Sequence, residues 1–266
     1  MLKTIFAEFP KTYAFIERNA NLTRRYIAWE LVFLVYSVVN ALTIAFIGVT
    51  VGKEQVLFLI VGALLWGFLS ILFHEVATAV EYERWEDTIE FTFAAPIYRA
   101  TYLFGNSIFA AIYGLARSLV LLVVVILIFN LDVSKANFFG AGVVLLASSL
   151  SFIGLGLVAA ILPLLSLERG AQATHIFQAI LLLVSGVYYD ISVLPKWIQP
   201  MAYISPATYT LRAMRSALIN GTTTGQLVPT ILLLLAIGAV LIPIGLWAFS
   251  LGERYAKRHG KLKRGG

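Results

Sequence analysis

Residues 56–80 read VLFLIVGALLWGFLSILFHEVATAV and carry a single formal charge, Glu75, close to the end. A helix needs about 20 predominantly apolar residues to cross the hydrocarbon core of a bilayer, so this stretch is predicted to span one. The adjoining stretch is different in kind. Residues 81–90, EYERWEDTIE, place five acidic side chains in ten positions. A span that runs directly into an acidic, tryptophan-bearing segment predicts a membrane helix whose end carries a water-exposed element.

Working outward, further apolar runs lie at about residues 28–51, 102–129, 138–165, 171–189 and 227–251. With the first stretch they predict six spans and an all-α integral membrane fold. Composition agrees: 60% of the 266 residues are hydrophobic and 13% charged, against about a quarter charged in soluble domains. A soluble fold would have to hide six such runs in one core with little charge left for its surface. The chain reads as one transmembrane domain, 1–266. Within it we distinguish a cytoplasmic interface helix (1–27), a cytoplasmic segment (81–99), an outer re-entrant segment (190–212) and a basic tail (252–266). In residues 2–20, Leu2, Ile5, Phe6, Phe9, Tyr13, Ile16 and Ala20 recur at helical spacing, which predicts an amphipathic helix on the membrane, divided in two by Pro10. Charges run through residues 2–25 without a continuous apolar stretch, so no cleavable signal is read there.

Orientation follows from lysine and arginine. With the N-terminus in the cytoplasm, fourteen of the twenty fall on that side, five (Lys53, Lys135, Lys196, Arg212, Arg215) fall opposite, and Arg117 lies within a span. The positive-inside rule then puts both termini in the cytoplasm. The tail, Arg254, Lys257, Arg258, Lys261, Lys263 and Arg264, reads as a hold on an anionic leaflet, not as a nucleic-acid patch. The chain has no cysteine, which excludes disulfides and thiolate chemistry. His74, His175 and His259 show no metal spacing.

Two segments fit neither a span nor an ordinary loop. Drawn as one helix, residues 81–93 put Tyr82, Trp85, Ile89 and Phe93 on one stripe and Glu83, Glu86, Asp87 and Glu90 on another. The acidic stripe is either a solvated loop face or a docking surface, since a patch of one sign steers and registers a complementary one. On the outer side, residues 185–209, SGVYYDISVLPKWIQPMAYISPATY, are too apolar for a free loop and too broken by Pro195, Pro200 and Pro206 for a span. Short helices that dip into the outer leaflet and return fit them, covered by protein or lining a cavity. Tyr188, Tyr189, Trp197 and Tyr203 sit at the headgroup level, as anchors or as a gate.

Together these segments resemble the type-2 ATP-binding-cassette exporter permeases. The family's Gly-Thr-Leu-Glu run and small-residue–Pro pair are matched by Asp87-Thr88-Ile89-Glu90 and Ala95-Pro96. Its outer series is matched by Ser185-Gly186-Val187-Tyr188-Tyr189, Leu194-Pro195, Ser205-Pro206 and Arg212 or Arg215. Asp87 stands where glycine is usual, which implies a straighter or more acidic helix. Asp190 stands where proline is common and leaves that turn open. The resemblance implies a half-transporter of a prokaryotic cytoplasmic (inner) membrane, paired with a second copy or a close relative. Two separate ATPase subunits would dock beneath and hold ATP and Mg, and this chain would bind no cofactor. It implies coupling through Glu83, Trp85, Glu86, Asp87, Thr88, Ile89, Glu90 and Pro96, and an outer gate at Tyr188, Tyr189, Pro195, Trp197, Tyr203 and Pro206. The chain has no P-loop: Gly52-Lys53 is followed by Glu54, and Gly260-Lys261 by Leu262. Abundant Phe and Tyr suit amphipathic cargo such as drugs or lipid-linked molecules, with polysaccharide or glycolipid export as the alternative.

Within the spans, Arg117 is costly to bury, by at least about 2.5 kcal/mol, and should face protein or water. Glu75, beside His74, is the nearest partner by depth. Glu75, Arg117, His175 and Gln178 are the candidate path residues, and Glu30 belongs to the inner interface. Small residues of the fourth span (Gly140, Gly142, Ser148, Ser149, Ser151, Gly154, Gly156) read as close helix packing. Two rival classes are weaker. A lipid-modifying enzyme wants an acid/base or metal constellation at an interface, for which Glu75 with His74 is thin. An ion-coupled carrier wants repeated halves with broken helices and buried carboxylates, and no repeat is visible.

Overall fold

The computed structural model describes residues 2–260 and 262, with the side chains of 2–7, 53, 54, 167–169 and 171 left undescribed. Lys261, Lys263 and Arg264 of the basic tail, and the Glu168 and Arg169 side chains, lie outside the described residues. The elements are all helical: α1 (Leu2–Arg25), α2 (Ile27–Val51), α3 (Lys53–Trp85), α4 (Ile89–Ala94), α5 (Arg99–Phe129), α6 (Phe138–Ala159), α7 (Ile161–Leu165), α8 (Leu167–Val184), α9 (Gln199–Ile204), α10 (Pro206–Leu218) and α11 (Thr224–Arg258). A 3-10 turn, Ile191–Val193, precedes α9.

Among the described residues, five helical stretches are long and apolar enough to cross a membrane: Ile27–Val51, Gln55–Trp85, Arg99–Phe129, Phe138–Leu165 and Thr224–Arg258. The expected fifth span is not among them. Its apolar helix is Gln172–Val184, roughly 20 Å at 1.5 Å per residue against a hydrocarbon core of about 30 Å. Helix α8 stops at Val184 and the chain turns through Gly186, at φ 68°. Residues 167–170, which precede the apolar run read at 171–189, already belong to α8. The fourth span is interrupted at Ala160, where Pro163 cannot donate to the carbonyl four residues earlier. Pro10 does not divide α1, and α11 continues through Pro229 and Pro243.

Helix α3 is the axis of the bundle. Phe68, Leu69, Leu72, Phe73, Val76 and Val80 are buried along it and share one core with Phe152, Leu157, Leu164 and Phe249. The small residues of α6 do pack against α11. A Cβ on Gly154 would lie 2.5 Å from Leu241 Cβ, and one on Gly238 2.7 Å from Leu150 Cβ. Ser151 Oγ donates to the Leu234 carbonyl at 2.6 Å. In a bilayer, close van der Waals approach and such interhelical bonds replace the hydrophobic drive available in water.

Candidate functional site

At its C-terminal end α3 closes in a left-handed turn. Thr88 N–H donates to the Glu83 carbonyl at 2.8 Å and Asp87 N–H to the Arg84 carbonyl at 3.3 Å. These are the two bonds of a Schellman motif, with Asp87 at its left-handed position, φ 54°. The chain re-enters a helix at Ile89, so the straight helix expected over 81–90 is overturned. Ala95 is extended, as a residue before proline must be.

That turn divides the acidic residues. Glu86, Asp87 and Glu90 are exposed, as are Trp85 and Thr88, whereas Ile89 and Phe93 are buried. Glu83 does not join the acidic face. It lies on the inward side of α3, where Arg18 of α1 meets it. Phe91 projects from the same surface as Glu90 and is 76% exposed. Pro96 is exposed too, and its carbonyl accepts from Lys11 Nζ at 3.2 Å.

Between the spans, two open cavities run together. The deeper, about 530 Å³, lies between α2, α3, α5 and α8 and is bounded by Tyr36, Trp66, His74, Glu75, Arg117 and His175 among others. The second, about 380 Å³, leads toward the C-terminal end of α3 past Tyr26, Glu30 and Arg18. Phe33, His74, Glu75 and Arg117 line both, so the two form one crevice. Arg117 Nη2 donates to Ser37 Oγ at 2.6 Å and to the Phe33 carbonyl, and Nη1 donates to Tyr113 Oη at 3.2 Å. Tyr113 in turn donates to Glu30. The expected Arg117–Glu75 ion pair is thus replaced by neutral oxygens, with Glu30 one hydrogen bond further on. Glu30 faces the bundle and not simply the interface. His74 and His175 stack with centroids 6.2 Å apart, and Gln178 Nε2 donates to the Ser70 carbonyl at 3.3 Å, tying α8 to α3.

Toward the N-terminal end of α3 the scattered motif residues meet. Ser185 Oγ and Ser205 Oγ share a buried hydrogen bond of 2.9 Å. Arg215 donates from Nη2 to the Val187 carbonyl at 2.7 Å and from Nη1 to the Gly186 carbonyl at 3.3 Å, with its guanidinium carbon 3.4 Å from the Phe58 ring centroid. The Val187 carbonyl also presses on Gly62, where a Cβ would lie 2.1 Å away. Asp190, the residue standing in for proline, accepts from Ser192 N–H at 2.8 Å and forms its own turn.

Residues 13–219 match the family described as ABC-2 type transporter. The chain belongs to that family. No curated protein matches it.

This ABC-2 chain is therefore a multi-pass membrane protein and an ABC transporter permease. Its structure brings together all four path residues read from the sequence, Glu75, Arg117, His175 and Gln178, around the deeper cavity, with Tyr188 beside them. The other outer residues lie elsewhere: Trp197 is 77% exposed, Pro195 and Tyr203 are exposed, Pro206 is buried at the start of α10, and Tyr189 bonds to the Leu183 carbonyl. Sequence reasoning passed over Ser37, Tyr113 and Phe91. The spacing of Tyr113 and Arg117, one helical turn apart, was the available signal for the first link of that network.

Proposed function

We propose that this ABC-2 chain is the membrane-spanning subunit of an ATP-driven exporter of amphipathic molecules, acting as a dimer on two separate ATPase subunits. The crevice carries this reading. It is an open groove that sets polar groups beside aromatic faces on helices that are otherwise lipid-like, and polar groups within a span are costly unless a pathway uses them. Its walls offer aromatic faces (Phe33, Tyr36, Trp66) beside Arg117, Glu75 and the two histidines, a pairing suited to a cargo with one greasy and one polar end. Its lower part reaches Arg18, Asn19 and Thr23, at the level where an inner-leaflet amphiphile has its headgroup, which favours lateral access.

Energy enters through α4. The exposed Glu86 and Glu90 steer a basic surface, and Phe91 is an aromatic anchor of the kind that dominates binding energy. Helix α8 with the 185–189 turn completes a sixth crossing, which puts both termini in the cytoplasm, in line with the lysine and arginine count, and the membrane is the prokaryotic cytoplasmic one. ATP-bound and ATP-free partners must favour different permease states, since only a differential affinity shifts the equilibrium.

Purification in mild detergent tests this. An ATPase subunit is expected to accompany the parent chain and to be lost from the E86K/E90K/F91E variant. Retention by that variant, or no ATPase with the parent, sinks the reading.

A further inference from the structure

The ring of Phe93, on the buried side of α4, is gripped by two spans. From α5 come Arg99, its guanidinium carbon 4.5 Å from the ring centroid, and Tyr102, edge-on at 6.4 Å. From α11 come Lys257 Nζ at 5.8 Å and Phe249, edge-on at 6.4 Å. A polar bracket closes around them. Arg99 Nη2 donates to the Phe93 carbonyl at 2.5 Å, Arg99 Nε lies 3.0 and 3.1 Å from the two Glu253 oxygens, and Lys257 Nζ is 2.7 Å from Glu253. Toward α3 the helix is joined through the left-handed turn at Asp87 and the packing of Ile89.

We propose that Phe93 is the positioning residue through which displacement of α4 reaches the inner ends of α5 and α11. The inference rests on α4 being the element that the ATPase moves. Close-packed rings transmit strain, because the interior does not compress. The cation–π contacts and the charge-assisted Arg99–Glu253 bonds resist pulling apart. Push and pull are therefore both carried. Helix α11 is locked to α6 by the glycine contacts at Gly154 and Gly238, so these two move together. Helix α5 carries Arg117 and Ser118 on one wall of the crevice, opposite His74 and Glu75 on α3. A shift of α5 with α11 against α3 changes the width of that crevice.

The absence of native cysteine permits clean labelling. Spin labels at Tyr82→Cys on α3 and Arg254→Cys on α11, both exposed sites, are to be compared in the ATPase complex with and without ATP and vanadate. The parent is expected to show a nucleotide-dependent change of distance, and F93A to lose it while still holding the ATPase. F93L, which refills apolar volume without the ring faces, guards against simple misfolding and is expected to lose the change as well. A nucleotide response in both variants equal to the parent's, or a parent that does not respond, overturns the proposal. Retention of the ATPase by E86K/E90K/F91E is scored separately and sinks the docking reading instead.

Discussion

Glu83 Oε1 accepts a hydrogen bond from Arg18 Nη1 at 2.6 Å, joining α3 to the interface helix, with the carboxylate 2% and the guanidinium 36% exposed. The same arginine reaches Asn106 of α5 at 3.4 Å, and Asn19 donates to that Asn106 oxygen at 2.8 Å. Helix α1 is thus fastened across the ends of two spans and is not merely resting on lipid. Phe15 adds an edge-on contact to Tyr102, 5.2 Å between centroids.

Removing Arg18 strands a buried carboxylate, which is worse than removing both partners. R18A is expected to lose about 2–3 kcal/mol of stability, and R18A/E83Q to recover most of it. Thermal unfolding of the purified chain in detergent measures both, and equal loss in the single and double variants would contradict the pairing.

Asp87 holds a conformation that favours glycine. D87G is expected to gain about 0.5–1 kcal/mol and D87V to lose about 1–2, because a branched side chain fits the left-handed region worst. The midpoint temperatures of the two variants should bracket the parent's. If D87V is as stable as the parent, the turn is not left-handed.

These two positions show where sequence was legible. Long uncharged runs announced six crossing helices, since nothing but a bilayer or a deep core tolerates them, and five of the six are long and apolar enough among the described residues. The acidic segment was legible as a special element but not in phase. Glu83 and Glu90, seven residues apart, share a stripe only on an unbroken helix, and the turn at Asp87 sends Glu83 inward. The partner of Arg117 left little trace, because a backbone carbonyl (Phe33) has no sequence signature and Ser37 looks like any serine in a span. Helix α8 was misjudged in extent because the apolar run continues past the glycine that ends it.

The interface helix should loosen in acid. Glu8 lies outside the spans, and hydrogen bonds from Lys11 and then Thr101 hold its carboxyl below the ordinary 4.5. A carboxyl so depressed contributes stability that is complete above the unfolded value and lost as pH falls through the lower folded one. Stability of the parent should therefore drop below pH 4.5 with a component that E8Q lacks. Superimposable acid limbs for parent and E8Q would exclude Glu8 as its source.

Arg212 and Arg215 lie one helical turn apart but differ in burden. Arg215 serves three carbonyls (Gly186, Val187 and Phe58) and a ring, whereas Arg212 is exposed over Tyr203 at 5.8 Å. A lysine cannot reproduce that planar fork. R215K is expected to cost about 1–3 kcal/mol, with R212K near neutral. Limited proteolysis of the 185–205 region should report the same order, and reversal of that order would move the family's arginine to position 212.

The crevice itself can be filled without disturbing the fold. Gly67 lies on its wall in the interior of α3, and a Cβ placed there meets nothing within 4 Å. G67A removes a flexible residue from a helix and is expected to be neutral or stabilising by up to about 1 kcal/mol. G67W projects an indole into a cavity of about 530 Å³, so under the proposed function it should fold, hold an ATPase subunit as the parent does and stop transport. The pair separates occlusion from misfolding: both variants share the altered backbone residue, and only one blocks the space. Export measured in cells, as resistance to a panel of amphipathic compounds, should be intact in G67A and abolished in G67W. Full export by a stably folded G67W would mean that cargo does not pass between α2, α3 and α5.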